Sequence, residues 1–180
     1  MLLRLLQKAA ERCGFFMATV LAFCVLAGNA QAQEGKWVAM NKPAAKLVLS
    51  NGQGQEIDLT TYKGRVVVIN FWATWCPPCV AEMPSLQTLH DRNNSVVVLG
   101  VNYHESVQKI NDFATKQRIS FPMLRDAWHD ASTDWQVQIL PNTFIVDKKG
   151  IVRWKVTGDL DWASAEVDKR LRPLIDAKNP

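Results

Sequence analysis

No run of lysine and arginine in this 180-residue chain exceeds two residues, and the formal net charge is only +4. Half of that excess sits before residue 33, where Arg4, Lys8 and Arg12 face Glu11 alone. A near-balanced remainder gives no basis for a nucleic-acid surface or a polybasic membrane patch. Histidine is almost as scarce. His90, His104 and His129 are well separated and form no metal-spaced pair, so a zinc site would lack ligands. Met40, Met83 and Met123 are too scattered for a copper-binding box. Internal repeats and low-complexity tracts are absent. With 48% apolar and 21% charged residues the composition is that of a globular chain, not a disordered one. The length suits one well-buried domain with a short appendage.

The appendage is N-terminal. After the basic start, Cys13 to Gly28 is uncharged and mostly apolar, with Phe15, Phe16, Val20, Leu21, Phe23, Val25 and Leu26. Ala30-Gln31-Ala32 then fits the small-x-small pattern of a signal-peptide cleavage site, predicting a mature start at Gln33. The rival reading is an uncleaved anchor, because the uncharged stretch Cys13 to Gln33 is about long enough to span a bilayer. A lipid anchor at Cys24 is disfavoured by bulky Phe23 before it. The expected organisation is an export segment over 1–32, a linker over 33–45 and a domain over 46–177.

Cysteine is the next scarcity. Of four, Cys13 and Cys24 fall in the export segment, leaving Cys76 and Cys79 in the mature chain. A structural disulfide stabilises most when it closes a long loop. A Cys-Pro-Pro-Cys loop constrains almost nothing, so chemistry explains the pair better than stability.

Local patterning predicts the elements around that pair. Lys46–Ser50 and Gln55–Leu59 flank Asn51-Gly52-Gln53-Gly54, a hairpin signal. The β-branched runs Arg65–Phe71 and Val96–Val101 read as strands buried on both faces. A helix is expected from Cys76, where Pro77 and Pro78 are tolerated because first-turn amides lack intrahelical partners, and Pro84 should kink it. A second helix follows from Val107 to near Arg118, then a short extended piece at Phe121–Leu124 and a short helix at Ala131–Gln136. Thr143–Asp147 and Ile151–Val156 read as an antiparallel pair. Asp161 is expected to cap a final helix through Ile175, with Pro173 kinking or ending it. This order implies a mixed sheet with helices on both faces.

The stretch Phe71-Trp72-Ala73-Thr74-Trp75-Cys76-Pro77-Pro78-Cys79 resembles the active-site motif of thioredoxin-like proteins, and most closely the periplasmic branch that includes TlpA, ResA and the cytochrome c maturation thioredoxins. Downstream, Leu140-Pro141-Asn142-Thr143-Phe144-Ile145-Val146-Asp147 resembles the segment bearing that family's cis-proline. The similarity runs from about Lys46 to Ile175. It implies an α/β thioredoxin-like fold, a mixed central sheet flanked by helices with an N-terminal β-hairpin extension. It also implies that Pro141 is cis, although a trans proline opening a strand is the commoner state. In the family the backbone of the preceding residue, here Leu140, pairs with an extended substrate. Trp75 is expected to cover one side of the site, and Trp72 to lie in the core.

The physical logic stands beside the resemblance. Disulfide exchange needs a thiolate, and a helix N-terminus stabilises one. Cys76, at that end, is expected to attack, and Cys79, one turn on, to resolve the mixed disulfide. Glu82 lies one further turn along, so its side chain can point back toward the sulfurs. The resemblance gives an acidic residue there a part in handling active-site protons; the alternative is an ordinary exposed helical glutamate.

The implied function is an exported thiol–disulfide oxidoreductase without a cofactor, a reductase rather than an oxidase. By resemblance its electrons come from a membrane thiol donor of the DsbD/CcdA type. They pass to disulfides of exported clients such as apocytochrome c or a copper-site assembly protein. The segment from Cys79 to Pro141 is longer than in a plain thioredoxin, and such insertions carry partner recognition. A net disulfide oxidant and a Cu(I)-binding docking module are the alternatives; a thiol peroxidase is disfavoured because it would need a different motif.

Overall fold

The computed structural model describes residues 35–92 and 94–179. The export segment expected over 1–32 lies outside the described residues, among which no helix is long and apolar enough to cross a membrane.

The chain opens with Lys36–Pro43 (β1), followed by the hairpin Val48–Ser50 (β2) and Glu56–Asp58 (β3) and a single 3-10 turn at Leu59–Tyr62. Val66–Trp72 (β4), Pro77–Arg92 (α1), Val96–Tyr103 (β5), Val107–Gln117 (α2), Met123–Asp126 (β6) and Asp130–Asp134 (α3) come next. Asn142–Val146 (β7), Ile151–Thr157 (β8) and Ala165–Asp176 (α4) complete the order. A six-stranded sheet runs β1-β8-β7-β4-β5-β6, and β2 with β3 forms a separate pair. β4, β5 and β6 are parallel, whereas β7, β8 and β1 join antiparallel. The sheet is therefore mixed, as the order of elements implied.

Alternation along β4 explains its double burial. Val66, Val68 and Trp72 enter a core formed with α1, α2 and α4, through Met83, Leu86, Ile110, Val167 and Leu171. Val67, Ile69 and Phe71 enter the opposite core, covered by Leu47 and Leu59 of the hairpin region and by Ala131 and Trp135 from α3 and its end. Continuous β-branched strands suit a sheet covered on both faces. The three longer helices thus share one face, while α3 and the hairpin cover the other.

The linker expected over 33–45 is corrected here. Lys36–Pro43 is an edge strand paired with β8 from Lys36↔Thr157 to Pro43↔Ile151, irregular between Ala39 and Lys42. Its side chains are mostly exposed and show no period-two pattern; backbone pairing makes the strand, which a side-chain pattern does not report. Trp37 fastens it, meeting Trp154 at 5.9 Å and Trp162 at 6.1 Å between ring centroids, with the Arg170 guanidinium 4.6 Å from its ring. The irregularity and the charges of Lys36 and Lys42 suit an edge that must not recruit another strand.

The cap of the last helix is also corrected. Ser164, not Asp161, caps α4, its Oγ accepting from the Val167 amide at 3.4 Å. Asp161 instead closes a preceding turn by accepting from the Ala163 amide at 3.0 Å. Between them the Ser164 amide donates to the Asp161 carbonyl at 3.1 Å, closing a turn ahead of the helix, and the Trp162 amide donates to Ser85 Oγ at 3.0 Å. Neither proline stops its helix: α1 runs through Pro84 and α4 through Pro173.

Candidate active site

Cys76 and Cys79 are joined as a disulfide, with Cα atoms 5.3 Å apart, at the entrance to α1. The local sequence builds that entrance. β4 ends at Trp72, and Cys76 closes a turn by donating its amide to the Ala73 carbonyl at 3.3 Å. The Cys76 carbonyl accepts the first helical bond, from Val80 at 3.1 Å. Pro77 and Pro78 occupy first-turn positions and bring no N–H. The Cys79 amide donates to Cys76 Sγ at 3.3 Å. This sulfur takes the place of an N-cap oxygen, receiving the amide three residues on. Cys76 keeps 5% of its surface accessible and Cys79 none. Both are buried, and of the two only Cys76 retains any accessible surface.

Trp75 stands beside the pair, 59% exposed, its ring edge-on to Tyr103 at 6.5 Å. Trp72 is fully buried, as expected, with Phe113 at 4.7 Å. The Leu140–Pro141 peptide bond is cis. Asn142 pairs with Phe71 in register, so Leu140 and Pro141 lie at the same end of the sheet as the loop leading to Cys76. Pro141 is buried, its carbonyl accepting from the Gly158 amide at 3.0 Å, and Leu140 is half-buried.

Glu82 is not an exposed helical residue. It shares the buried face of α1 with Cys79, Met83 and Leu86, and is 3% exposed. Its Oε1 accepts from Asn70 Nδ2 at 2.7 Å; its Oε2 accepts from the Leu160 amide at 3.2 Å and from Trp162 Nε1 at 2.9 Å. Burial pushes the carboxyl from 4.5 up to about 7, against the three donors and with a smaller push from the Asp159 charge. Asn70 Nδ2 also donates to Thr143 Oγ1 at 2.9 Å, while Asn70 Oδ1 is buried without a partner.

A second carboxylate was not singled out from the sequence. Glu105, between β5 and α2, is nearly buried. Its Oε2 accepts from the Thr74 amide at 2.7 Å and from Asn102 Nδ2 at 2.8 Å, and its Oε1 from Thr74 Oγ1 at 2.6 Å. Lys109 Nζ lies 2.6 Å from Oε1. Burial alone would raise this carboxyl; bonds from Asn102, Lys109 and Thr74 outweigh it and hold the group below its usual range. Asn70, Asn102 and Trp162 were missed too. Asn70 and Asn102 had a legible signal, since a polar side chain inside an otherwise apolar buried strand must find a partner. Trp162 had none, lying far along the chain from Glu82.

The model of the AhpC/TSA family matches residues 40–155. The chain belongs to this family. Within it, the chain is 37% identical over 125 residues to the thiol-disulfide oxidoreductase ResA of Geobacillus thermodenitrificans, covering 68% of this chain and 72% of that one. Against ResA of Bacillus subtilis the identity is 30% over 151 residues, covering 83% and 84%. A solved thiol:disulfide interchange protein of the thioredoxin family from Chlorobium tepidum superposes with a TM-score of 0.67 at 21% identity, covering 77% of this chain and 99% of that one. The fold is thioredoxin-like, and the protein is a thiol–disulfide oxidoreductase of the ResA type with a Cys-x-x-Cys centre.

Proposed function

We propose that the protein is exported and acts as a protein-disulfide reductase, with Cys76 attacking and Cys79 resolving. The placing of Cys76 at the very start of α1, where it alone of the pair keeps some accessible surface, carries this assignment. The Cys76 thiolate attacks a client disulfide; the Cys76–client bond forms, and the leaving client sulfur takes a proton. Cys79 then loses its proton and attacks the Cys76 sulfur, releasing the second client thiolate and closing Cys76–Cys79. Two electrons pass to the client. Leu140, ahead of the cis Pro141, offers its backbone to an extended client strand, and Trp75 walls the opposite side.

Glu82 is proposed as the proton acceptor for Cys79, one helical turn away. A carboxyl near 7 suits proton exchange with a thiol at neutral pH. Its protonated form can be accommodated: rotating the Asn70 amide turns the unpartnered Oδ1 toward Glu82 to accept the new O–H.

The direction of electron flow follows from what stabilises the Cys76 thiolate. A strong oxidant stabilises it heavily. Here Pro77 and Pro78 supply no amide, leaving the Cys79 N–H as the local donor. No histidine lies between the cysteines, and Glu82 adds negative charge when ionised. Each of these favours the disulfide form and makes the dithiol a better reductant.

Export rests on Arg4, Lys8 and Arg12, the apolar run and Ala30-Gln31-Ala32. It places the protein in the periplasm, either free after cleavage before Gln33 or held by an uncleaved anchor. The donor is then a membrane dithiol of the DsbD/CcdA type, and the clients are exported proteins such as apocytochrome c or a copper-site assembly protein. N-terminal sequencing of envelope protein separates the two forms, Gln33 marking cleavage and Met1 the anchor. For the catalytic roles, Cys79→Ala should trap client mixed disulfides through Cys76, and Cys76→Ala should trap none. Equal trapping by both variants would reverse the assignment.

A further inference from the structure

We propose that Glu105 is a positioning residue of the exchange site, holding the loop that presents Cys76. This rests on Cys76 being the attacking sulfur. The loop Ala73–Trp75 bridges β4 and α1, and within it the Thr74 amide has no helical or sheet bond to make. Glu105 takes both Thr74 donors: the backbone N–H at 2.7 Å and the hydroxyl at 2.6 Å. A clamp on backbone and side chain together, two residues before Cys76, fixes how the chain enters α1.

Glu105 is in turn held from three directions. Asn102 Nδ2, at the carboxyl end of β5, donates to Oε2, and Asn102 Oδ1 accepts the Glu105 amide at 3.1 Å. Arg125 Nε, on β6, donates to the Glu105 carbonyl at 2.8 Å. Lys109 on α2 pairs with Oε1. The carboxylate therefore couples β5 and α2 to the loop carrying Cys76, while β6 holds the backbone of the same residue. A carboxylate suits this junction because it only accepts, and each of its contacts here is a donor. Its charge is offset by Lys109, so the effect on Cys76 is geometric: the sulfur is kept where attack along the client S–S axis needs no loop rearrangement.

The roles of the two oxygens predict an order among variants. In Glu105→Gln the carbonyl can stay at the Oε2 position and keep the Thr74 amide and Asn102. The new NH2 then meets the Thr74 hydroxyl, which can turn to accept, and exposed Lys109, which can swing away. Glu105→Ala loses every bond to Thr74. The test is the rate at which the reduced protein converts oxidised glutathione to two thiols. In that reaction Cys76 forms a mixed disulfide, and Cys79 displaces the second glutathione as Cys76–Cys79 closes. Glu105→Ala should react about tenfold more slowly or worse, and Glu105→Gln within about threefold of wild type. The Gln variant's potential should stay within about 30 mV, a tenfold change in the equilibrium constant. The Thr74 amide should exchange slowly with deuterium in wild type and freely in the Ala variant. Should Glu105→Ala fail to fold, Thr74→Val removes the hydroxyl bond alone and should still slow the reaction severalfold. The inference is overturned if folded Glu105→Ala, or Thr74→Val in its place, reacts within twofold of wild type. It is also overturned if Glu105→Gln is as slow as Ala, which would mean that charge acts and not geometry. If wild type and Cys76→Ala react alike, the assignment of Cys76 fails instead.

Discussion

Glu82→Gln removes a carboxyl that the fold holds more tightly protonated than the unfolded chain does. The native group titrates at about 7 against an ordinary 4.5. Between those values the native state binds the proton that the unfolded state has released, so stability falls as pH rises through the window. At about 1.4 kcal/mol per unit this amounts to about 3 kcal/mol lost between pH 4.5 and 7, with no further loss above. Glutamine has no such proton and can keep the Leu160 and Trp162 bonds on its carbonyl, with the Asn70 amide turned to accept from its NH2. The assay is urea unfolding of the disulfide form at steps from pH 4.5 to 7.5, where Cys76 and Cys79 do not titrate. The difference between variant and wild type isolates Glu82, because every other group is common to both. That difference should favour the variant increasingly, by about 3 kcal/mol in all. An essentially flat difference would mean that Glu82 titrates in the fold no higher than in the unfolded chain, its donors matching or outweighing burial. That result would remove the basis for a proton-handling role.

Trp37→Ala should cost about 2–3 kcal/mol in denaturant unfolding, because the ring joins β1 to Trp154, Trp162 and Arg170; a change below about 0.5 kcal/mol would restore the linker reading of residues 33–45. Gly100→Ala should cost about 1–3 kcal/mol in the same assay. A methyl there would sit 2.6 Å from Met123 Sδ and 3.2 Å from both Phe121 and Trp72 Nε1. An unchanged midpoint would show that Met123 yields freely.

Side-chain periodicity reached as far as side chains decide structure. The runs Val66–Trp72 and Val96–Tyr103 are buried on both faces, and their composition is enough to say so. The turn Asn51–Gly54 was legible for a local reason: Asn51 Oδ1 accepts from the Gln53 and Gln55 amides, and Gly54 takes a φ of 78°. β1 was not legible, because its pairing with β8 is a backbone matter between segments more than a hundred residues apart. Cys76 and Cys79 were legible because motif, strand and helix start adjoin in sequence. Glu82 was legible in its spacing but not in its burial, which depends on Trp162 and Leu160 about eighty residues on. Glu105 escaped because its partners Thr74, Asn102 and Lys109 come together only in the fold.

The central claim, that Cys76 and Cys79 form a reducing dithiol, is tested most directly by equilibrating the protein with graded glutathione buffers and counting alkylated thiols by mass. With two prolines removing amides from the helix start and Glu82 adding negative charge, the account predicts a potential on the reducing side of about −200 mV, nearer thioredoxin than the strong periplasmic oxidant. A value near about −120 mV, with the Cys76 thiol titrating at about 3.5, would contradict it and make the protein an oxidant.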